Sequence, residues 1–254
     1  MSKDQEKAYR FSELKWDTDF FGISCARAVL EGELSREEWD ELKRLMEGYR
    51  FVSIVNRHSL PGNSLLIGME TRAFLADVNI QLEKEADPGR AMPAGVEVAS
   101  GLARDENILA MANYPASKFI ADPELNRRNG SEVYREWLKN SFGRSDKYFA
   151  LSRDAGGGRN GFLLFSYRGD TCTIELVAVS AYVEKRGIGT DLLKACEISA
   201  QAAGCRIIRV GTQIRNTTAI NFYHKYGFRM VGCHQVFHLW NPEADKDGRG
   251  SMGS

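Results

Sequence analysis

The sequence predicts an α+β fold in which hairpin-linked strands are flanked by helices. Three observations carry that expectation. Strand-like alternation recurs at 148–152, 161–167 and 171–179 with only glycine-containing turns between. The last of these strands then runs through a glycine loop directly into a helix at 190–203. Finally, the stretch EADPGRAMPAG at 85–95 has no periodic apolar residues and reads as a linker that sets the first third of the chain apart.

In chain order, SREEWDELKRLMEGY is an amphipathic helix opened by a capping box of Ser35 and Glu38. Its apolar face is Trp39, Leu42, Leu45, Met46 and Tyr49. Strands are expected at 51–56 and 74–82, on either side of a turn containing Pro61, Gly62 and Asn63. After the linker come helices over 103–111 and about 130–141, with an irregular basic segment, ASKFIADPELNRRNG, between them. Gly204 closes the helix at 190–203. A strand over 206–213, a helix over 217–226 and a strand over 230–240 follow, and the polar tail is expected to be disordered. The division drawn from this is a small N-terminal unit, 1–88, a larger one, 95–242, and a tail, 243–254.

Composition removes several function classes. The 34 basic residues cancel 34 acidic ones, so no general field draws the chain to nucleic acid or anionic membrane. With 43% hydrophobic and 27% charged residues the chain is ordinary globular material. No apolar run reaches membrane-spanning length, and MSKDQEKAYR is followed by no apolar core of a secretory signal, so a cytoplasmic protein is expected. Cys25, Cys172, Cys196, Cys205 and Cys233 are scattered, without metal-ligand spacing. Free thiols are expected, with no disulfide and no metal.

Chemistry concentrates at two places. In TIELVAVSAYVEKRGIGTDLLKACE a strand ends at Val179 and Arg186, Gly187, Ile188, Gly189 and Thr190 open a helix. Small residues let backbone N–H groups approach a phosphate, and the helix dipole adds attraction. By itself this pattern is also that of a tight strand–helix turn. It lacks the third glycine of a dinucleotide site, where Leu192 stands, and the Gly-Lys-Ser/Thr of a P-loop. The second place is NTTAINFYHKYGF, 216–228.

Together, a G-x-G loop followed after a helix and a strand by N-x-x-A-x-x-F-Y-x-K-x-G-F resembles the GNAT family of acyl-CoA-dependent N-acyltransferases, from the linker to about Trp240. The resemblance implies the GNAT fold, a mixed and mostly antiparallel sheet flanked by helices, and acetyl-CoA as acyl donor. It also implies that Glu184, Lys185, Arg186, Gly187, Ile188, Gly189 and Thr190 cradle the CoA pyrophosphate. Val177, Ala178 and Val179 would lie along the pantetheine arm, where two strands splay, with Asn216 contacting that arm or stabilising the bend. Glu184 departs from the usual Gln or Arg, and Arg186 is expected to compensate. Tyr223 matches the family tyrosine that protonates the leaving thiolate; a phenol of reference pKa about 10 is protonated at neutral pH. For the base, Glu175 shares a strand face with Val177 and Val179. His238, His234 and a water chain remain alternatives.

LKWDTDFFGISCARAV, AFLADVNIQLEKE and ASKFIADPELNRRNGSEVYREWLKNSF resemble the GNAT subgroup that acetylates nucleotide-linked 4-amino sugars in polysaccharide synthesis. That resemblance implies an N-terminal unit that is a degenerate GNAT-like domain, and residues 1–84 indeed contain no G-x-G. Ser117, Lys118 and Phe119 are the expected acceptor contacts, since a nucleotide sugar needs cations for its diphosphate and an aromatic for its base. Other amine acceptors, and a non-catalytic CoA-binding sensor, stand as alternatives. Small-molecule substrates, no nucleic acid, no membrane and possibly a homodimer complete the expectation.

Overall fold

A computed structural model describes residues 7–87, 91–183, 186–242 and 244. Its elements, in chain order, are β1 (Tyr9–Glu13), α1 (Lys15–Phe21), β2 (Cys25–Leu30), α2 (Arg36–Glu47), β3 (Phe51–Asn56), α3 (Pro61–Glu70), β4 (Phe74–Glu85), β5 (Val96–Ser100), α4 (Glu106–Ala110), α5 (Lys118–Ala121), α6 (Pro123–Arg127), α7 (Val133–Lys139), β6 (Tyr148–Arg153), β7 (Arg159–Arg168), β8 (Thr171–Val179), α8 (Ile188–Ala202), β9 (Ile207–Gln213), α9 (Thr217–Lys225) and β10 (Arg229–Trp240). They fall into two compact units. Unit 1 gathers the chain up to Ile80, 121–129 and everything from Gly232; unit 2 is 81–120 with 130–231.

This partition differs from the sequence division into 1–88 and 95–242. The reason is strand pairing far along the chain: Gln235–Trp240 of β10 pair antiparallel with Phe51–Asn56 of β3, so the terminal strand completes the N-terminal unit. The linker residues 88–90 and the tail expected to be disordered lie outside the described residues, apart from Ala244.

In unit 1, β1 pairs antiparallel with β2, β2 parallel with β3, and β3 antiparallel with β10. One sheet face meets α2, whose capping box forms as expected: Glu38 N–H donates to Ser35 Oγ and Ser35 N–H to Glu38 Oε2. Trp39, Leu42 and Met46 are buried against Ala28, Leu30, Val52, Ile54, Phe237 and Leu239. The expected turn at 61–63 is instead the first turn of α3. Pro61 occupies N1, where its missing N–H costs nothing and its φ is already helical. The reversal is made before it, by His58 and Ser59 at φ 58 and 51.

In unit 2, β5, β6, β7 and β8 form an antiparallel meander and β9 adds parallel to β8, giving the mixed, mostly antiparallel sheet. Ile108, Leu109 and Leu138 pack with Phe149, Leu151, Phe162 and Leu164. Cys172 and Cys196 are fully buried with their Sγ atoms 3.7 Å apart, small apolar residues of this core. The segment expected to be irregular holds α5 and α6, and Asp122 Oδ1 caps α6 by accepting from Glu124 and Leu125 N–H. Among the described residues no helix is long and apolar enough to cross a membrane, and no group of three or more His, Cys, Asp or Glu is arranged to hold a metal.

Candidate active site

The site of unit 2 is built where β8 and β9 part. Their parallel ladder runs from Thr171↔Ile207 to Ile174↔Val210, while β8 continues to Val179 and β9 to Gln213. The divergence starts at a bulge: opposite Leu164 and Phe165 of β7 stand Leu176 and Ile174, leaving Glu175 as the extra residue. Ser180 N–H donates to Asn160 O at 2.9 Å, so even-numbered residues bond to β7. Val177 and Val179 therefore turn their N–H and C=O away from β7, toward the side on which the β9 ladder has ended. That row of backbone groups is suited to an extended amide chain.

The loop after β8 delivers α8. Glu184 and Lys185 lie outside the described residues. Arg186 is exposed, and Gly187 takes φ 86, a left-handed conformation that favours glycine, as the helix N-cap. Because glycine brings no capping side chain, the first-turn N–H groups of Ile188, Gly189 and Thr190 point forward with no side-chain acceptor at the cap.

Two glycines seat this helix end. A Cβ on Gly189 would meet the Phe222 ring at 3.2 Å, and one on Gly161 of β7 would meet Ile188 Cγ2 at 2.9 Å and Leu192 Cδ1 at 3.2 Å. Leu192, which broke the dinucleotide pattern, is thus the residue that packs α8 onto the sheet. Replacing Gly161 by Val is expected to cost about 1–3 kcal/mol through overpacking. It should also weaken CoA binding by displacing the helix terminus; melting temperature and CoA affinity measure the two effects.

Tyr223 of α9 is 2% exposed, with its ring edge-to-face on Phe228 at 5.3 Å. Burial, with Cys196 adding to it, pushes the phenol well above its ordinary pKa, so it holds its proton at any physiological pH. Asn216 caps α9, Oδ1 accepting from Ala219 N–H at 3.1 Å.

Glu175 is tightly engaged. Oε1 accepts from Lys147 Nζ and Ser166 Oγ, each at 2.5 Å, and Oε2 from Trp137 Nε1 at 3.2 Å. Trp137 is 43% exposed and anchored to this carboxylate. His238 belongs to unit 1 and is fully buried, with Nδ1 2.7 Å from Asp122 Oδ2 and Phe51 and Phe74 rings beside it. With no exposed surface it is a packing residue of that unit, a correction to its expected place as a base. His234 is also in unit 1, its Nδ1 accepting from His58 N–H at 3.3 Å. Burial and then Arg57 lower its pKa.

Ser117, Lys118 and Phe119 separate in role. Ser117 is 1% exposed and its Oγ accepts from Phe119 N–H at 3.1 Å, so it shapes the chain, a correction to its reading as an acceptor contact. Lys118 Nζ lies 5.3 Å over the Phe119 ring. Phe119 in turn touches Tyr134, which stacks with Trp137 at 6.2 Å and meets Tyr114 at 4.9 Å. Gln213, at the end of β9, donates to Tyr134 Oη at 3.2 Å and ties this aromatic group to the splay. Tyr114 was missed: its hydroxyl is buried with no hydrogen-bond partner among the described residues. Burial, then Tyr223 and Tyr134, raise its pKa. No motif marks it; it stands alone in MANYPASKF. A separate cavity of about 570 Å³, lined by Lys84, Asp87, Gly227 and Arg229, lies by Ile207, at the end of β9 opposite the splay.

A splayed parallel pair, an uncapped helix terminus and a buried phenol are the features that the GNAT resemblance implies for an acyl-CoA site. Residues 110–228 match the model of the Acetyltransferase (GNAT) family, whose acyl donor is acetyl-CoA. The chain is similar to the spore coat polysaccharide biosynthesis protein SpsD of Bacillus subtilis, 28% identical over 153 residues that cover 60% of this chain and 50% of SpsD. It is also similar to the uncharacterized protein YdhI of the same organism, 35% identical over 71 residues, 28% of this chain and 43% of YdhI. The chain thus spans about half the length, or less, of these curated relatives. Among solved structures, a GCN5-related N-acetyltransferase from Sphaerobacter thermophilus superposes with TM-score 0.63 at 14% identity, over 92% of this chain and 77% of its own. A tandem GNAT protein from the clavulanic acid biosynthesis pathway does so with TM-score 0.55 at 14% identity, over 86% and 78%. These two likenesses establish the GNAT fold.

Proposed function

We propose that the protein transfers an acetyl group from acetyl-CoA to the amine of a nucleotide-linked 4-amino-deoxy sugar, in one step within a ternary complex. The observation that carries the acyl transfer is the parting of β8 and β9 at Glu175, which leaves the backbone of Val177 and Val179 directed at an extended thioester arm. The first-turn N–H groups of α8 with Arg186 would hold the CoA diphosphate, joined by Lys185. CoA supplies the activated thioester. The amine nitrogen attacks its carbonyl carbon, a C–N bond forms as the C–S bond breaks, and Tyr223 gives its proton to the departing sulfur. The proton shed by the amine passes to Glu175 through Oε2, whose one hydrogen bond among the described residues is from the Trp137 indole.

The sugar acceptor rests on the similarity to a protein named for polysaccharide biosynthesis and on the aromatic group of Tyr114, Phe119, Tyr134 and Trp137. Such faces suit a nucleoside base, and Lys118 beside them suits its phosphates. Unit 1 is read as a degenerate GNAT-like domain without its own cofactor loop, in keeping with the likeness to a protein described as a tandem GNAT.

The test is CoA thiol release from acetyl-CoA with nucleotide 4-amino sugars, a lysine peptide, an aminoglycoside and a polyamine. Release with the nucleotide sugars alone is expected. Release with another amine reassigns the acceptor, and CoA binding without release from any amine makes the chain a sensor. Glu175→Gln is expected to lower kcat by about a hundredfold and to remove the acid limb of the kcat/KM profile, because a base works only when deprotonated. An unchanged limb would hand the proton to water and leave Glu175 a positioning residue.

A further inference from the structure

We propose that unit 1 binds a phosphate-bearing anion at the polar rung of its sheet that carries Ser12, Arg27 and Ser53, a row that ends at the buried pair of His238 and Asp122. The register places these four residues side by side on neighbouring strands: Ser12↔Arg27 between β1 and β2, Arg27↔Ser53 between β2 and β3, and Ser53↔His238 between β3 and β10. Paired residues share a face, and neighbouring strands are about 4.8 Å apart, so the four side chains form one continuous row. The rungs on either side are apolar near the middle of the sheet: Val29, Val55 and Val236 on one, Cys25, Phe51 and Trp240 on the other. The opposite face of the same strands is the apolar core against α2. A polar row inside an apolar face is not what packing alone selects.

The row is left unsatisfied in a particular way. Arg27 is half-buried, its Nε has no exposed surface, and it makes no hydrogen bond or ion pair among the described residues. Ser53 is 4% exposed, and its Oγ is likewise buried with no partner among them. An arginine Nε closed off from water with no acceptor is stabilised when an anion joins it. Arg128 of the same unit donates from Nη1 to Phe21 O at 3.3 Å, and its Nε is likewise buried with no hydrogen-bond partner among the described residues.

Two carboxylates are nearby. Asp122 Oδ2 is already taken by His238 Nδ1 and by Trp240 Nε1, and Asp17 acts on Cys25 from α1. The guanidinium of Arg27 and the hydroxyl of Ser53 are donors for an oxyanion, and the planar fork of an arginine suits a phosphate or diphosphate ester. This site is additional to the diphosphate-holding helix terminus of unit 2, and it stands whether or not the chain acetylates a sugar.

The experiment uses the full chain with CoA kept saturating, so that the donor site is filled. Pyrophosphate, thymidine diphosphate and glucuronate are titrated by calorimetry against wild type, Arg27→Gln, Arg27→Lys and Ser53→Ala. Pyrophosphate and thymidine diphosphate are expected to bind wild type, Arg27→Gln to bind them about tenfold more weakly, and Arg27→Lys to recover part of the loss, with CoA affinity unchanged throughout. Should Arg27→Gln melt early, Ser53→Ala removes a single hydroxyl and is expected to weaken binding about threefold. Equal binding by wild type and the variants, no binding of either phosphate compound, or preference for glucuronate overturns the assignment. Binding is read without acetyl transfer, so failure here is distinct from failure of the proposed reaction.

Discussion

Tyr223→Phe is expected to lower kcat by about 10²–10³-fold while leaving CoA affinity nearly unchanged. The substitution keeps the ring that packs on Phe228 and Phe222, so α9 stays seated and only the hydroxyl is lost. Burial raises the pKa of that phenol, which keeps it protonated and makes it a donor through the pH range in which an amine can attack. A general acid acts in the transition state, so its removal shows in kcat rather than in ground-state binding. Pre-steady-state thiol release, together with CoA affinity measured by calorimetry, separates the two quantities. Unchanged turnover would mean that the sulfur takes its proton from water.

The largest stability effect is expected at Lys84→Met. Glu197 of α8 is 1% exposed and holds three donors: Lys84 Nζ, Asp87 N–H at 2.9 Å and Tyr226 Oη at 2.9 Å. Removing the lysine leaves a buried carboxylate with no cation, which costs about 3–5 kcal/mol. The urea midpoint should fall accordingly. The double variant with Glu197→Met should recover much of the loss, because a buried ion pair exchanged for apolar side chains is often neutral. Without that recovery, Lys84 would be contributing through its packing on the Tyr226 ring, 5.5 Å away, rather than through its charge.

Local patterns were legible wherever the residues that act are close in sequence. The capping box at Ser35 and Glu38, strand 51–56 and the strands and helix from 148 to 202 all stand where alternation and helical spacing put them. Motif spacing found the α8 terminus and Tyr223 for the same reason, since each needs only a strand–turn–helix or a single helix face. Pro61 misled because Pro-Gly-Asn suits a turn and a helix start equally, and strain at His58 and Ser59 decided between them. Helical spacing alone cannot tell a core-facing indole from one bound to a bulged carboxylate, as Trp137 is.

Periodicity therefore sufficed for the α+β class, and the motif resemblance for the GNAT fold and for Tyr223, the phenol proposed as acid, because these depend on neighbours within a few turns of chain. Tertiary structure alone decided that β10 belongs with β3, that Glu175 is the bulged residue at which β8 leaves β9, and that Tyr114 joins the aromatic group. It also aligned Arg27 with Ser53 and His238 in one rung. Each of those depends on strand register or on contacts between distant segments, and register is set by which faces can be buried together, a condition that no local window of sequence contains.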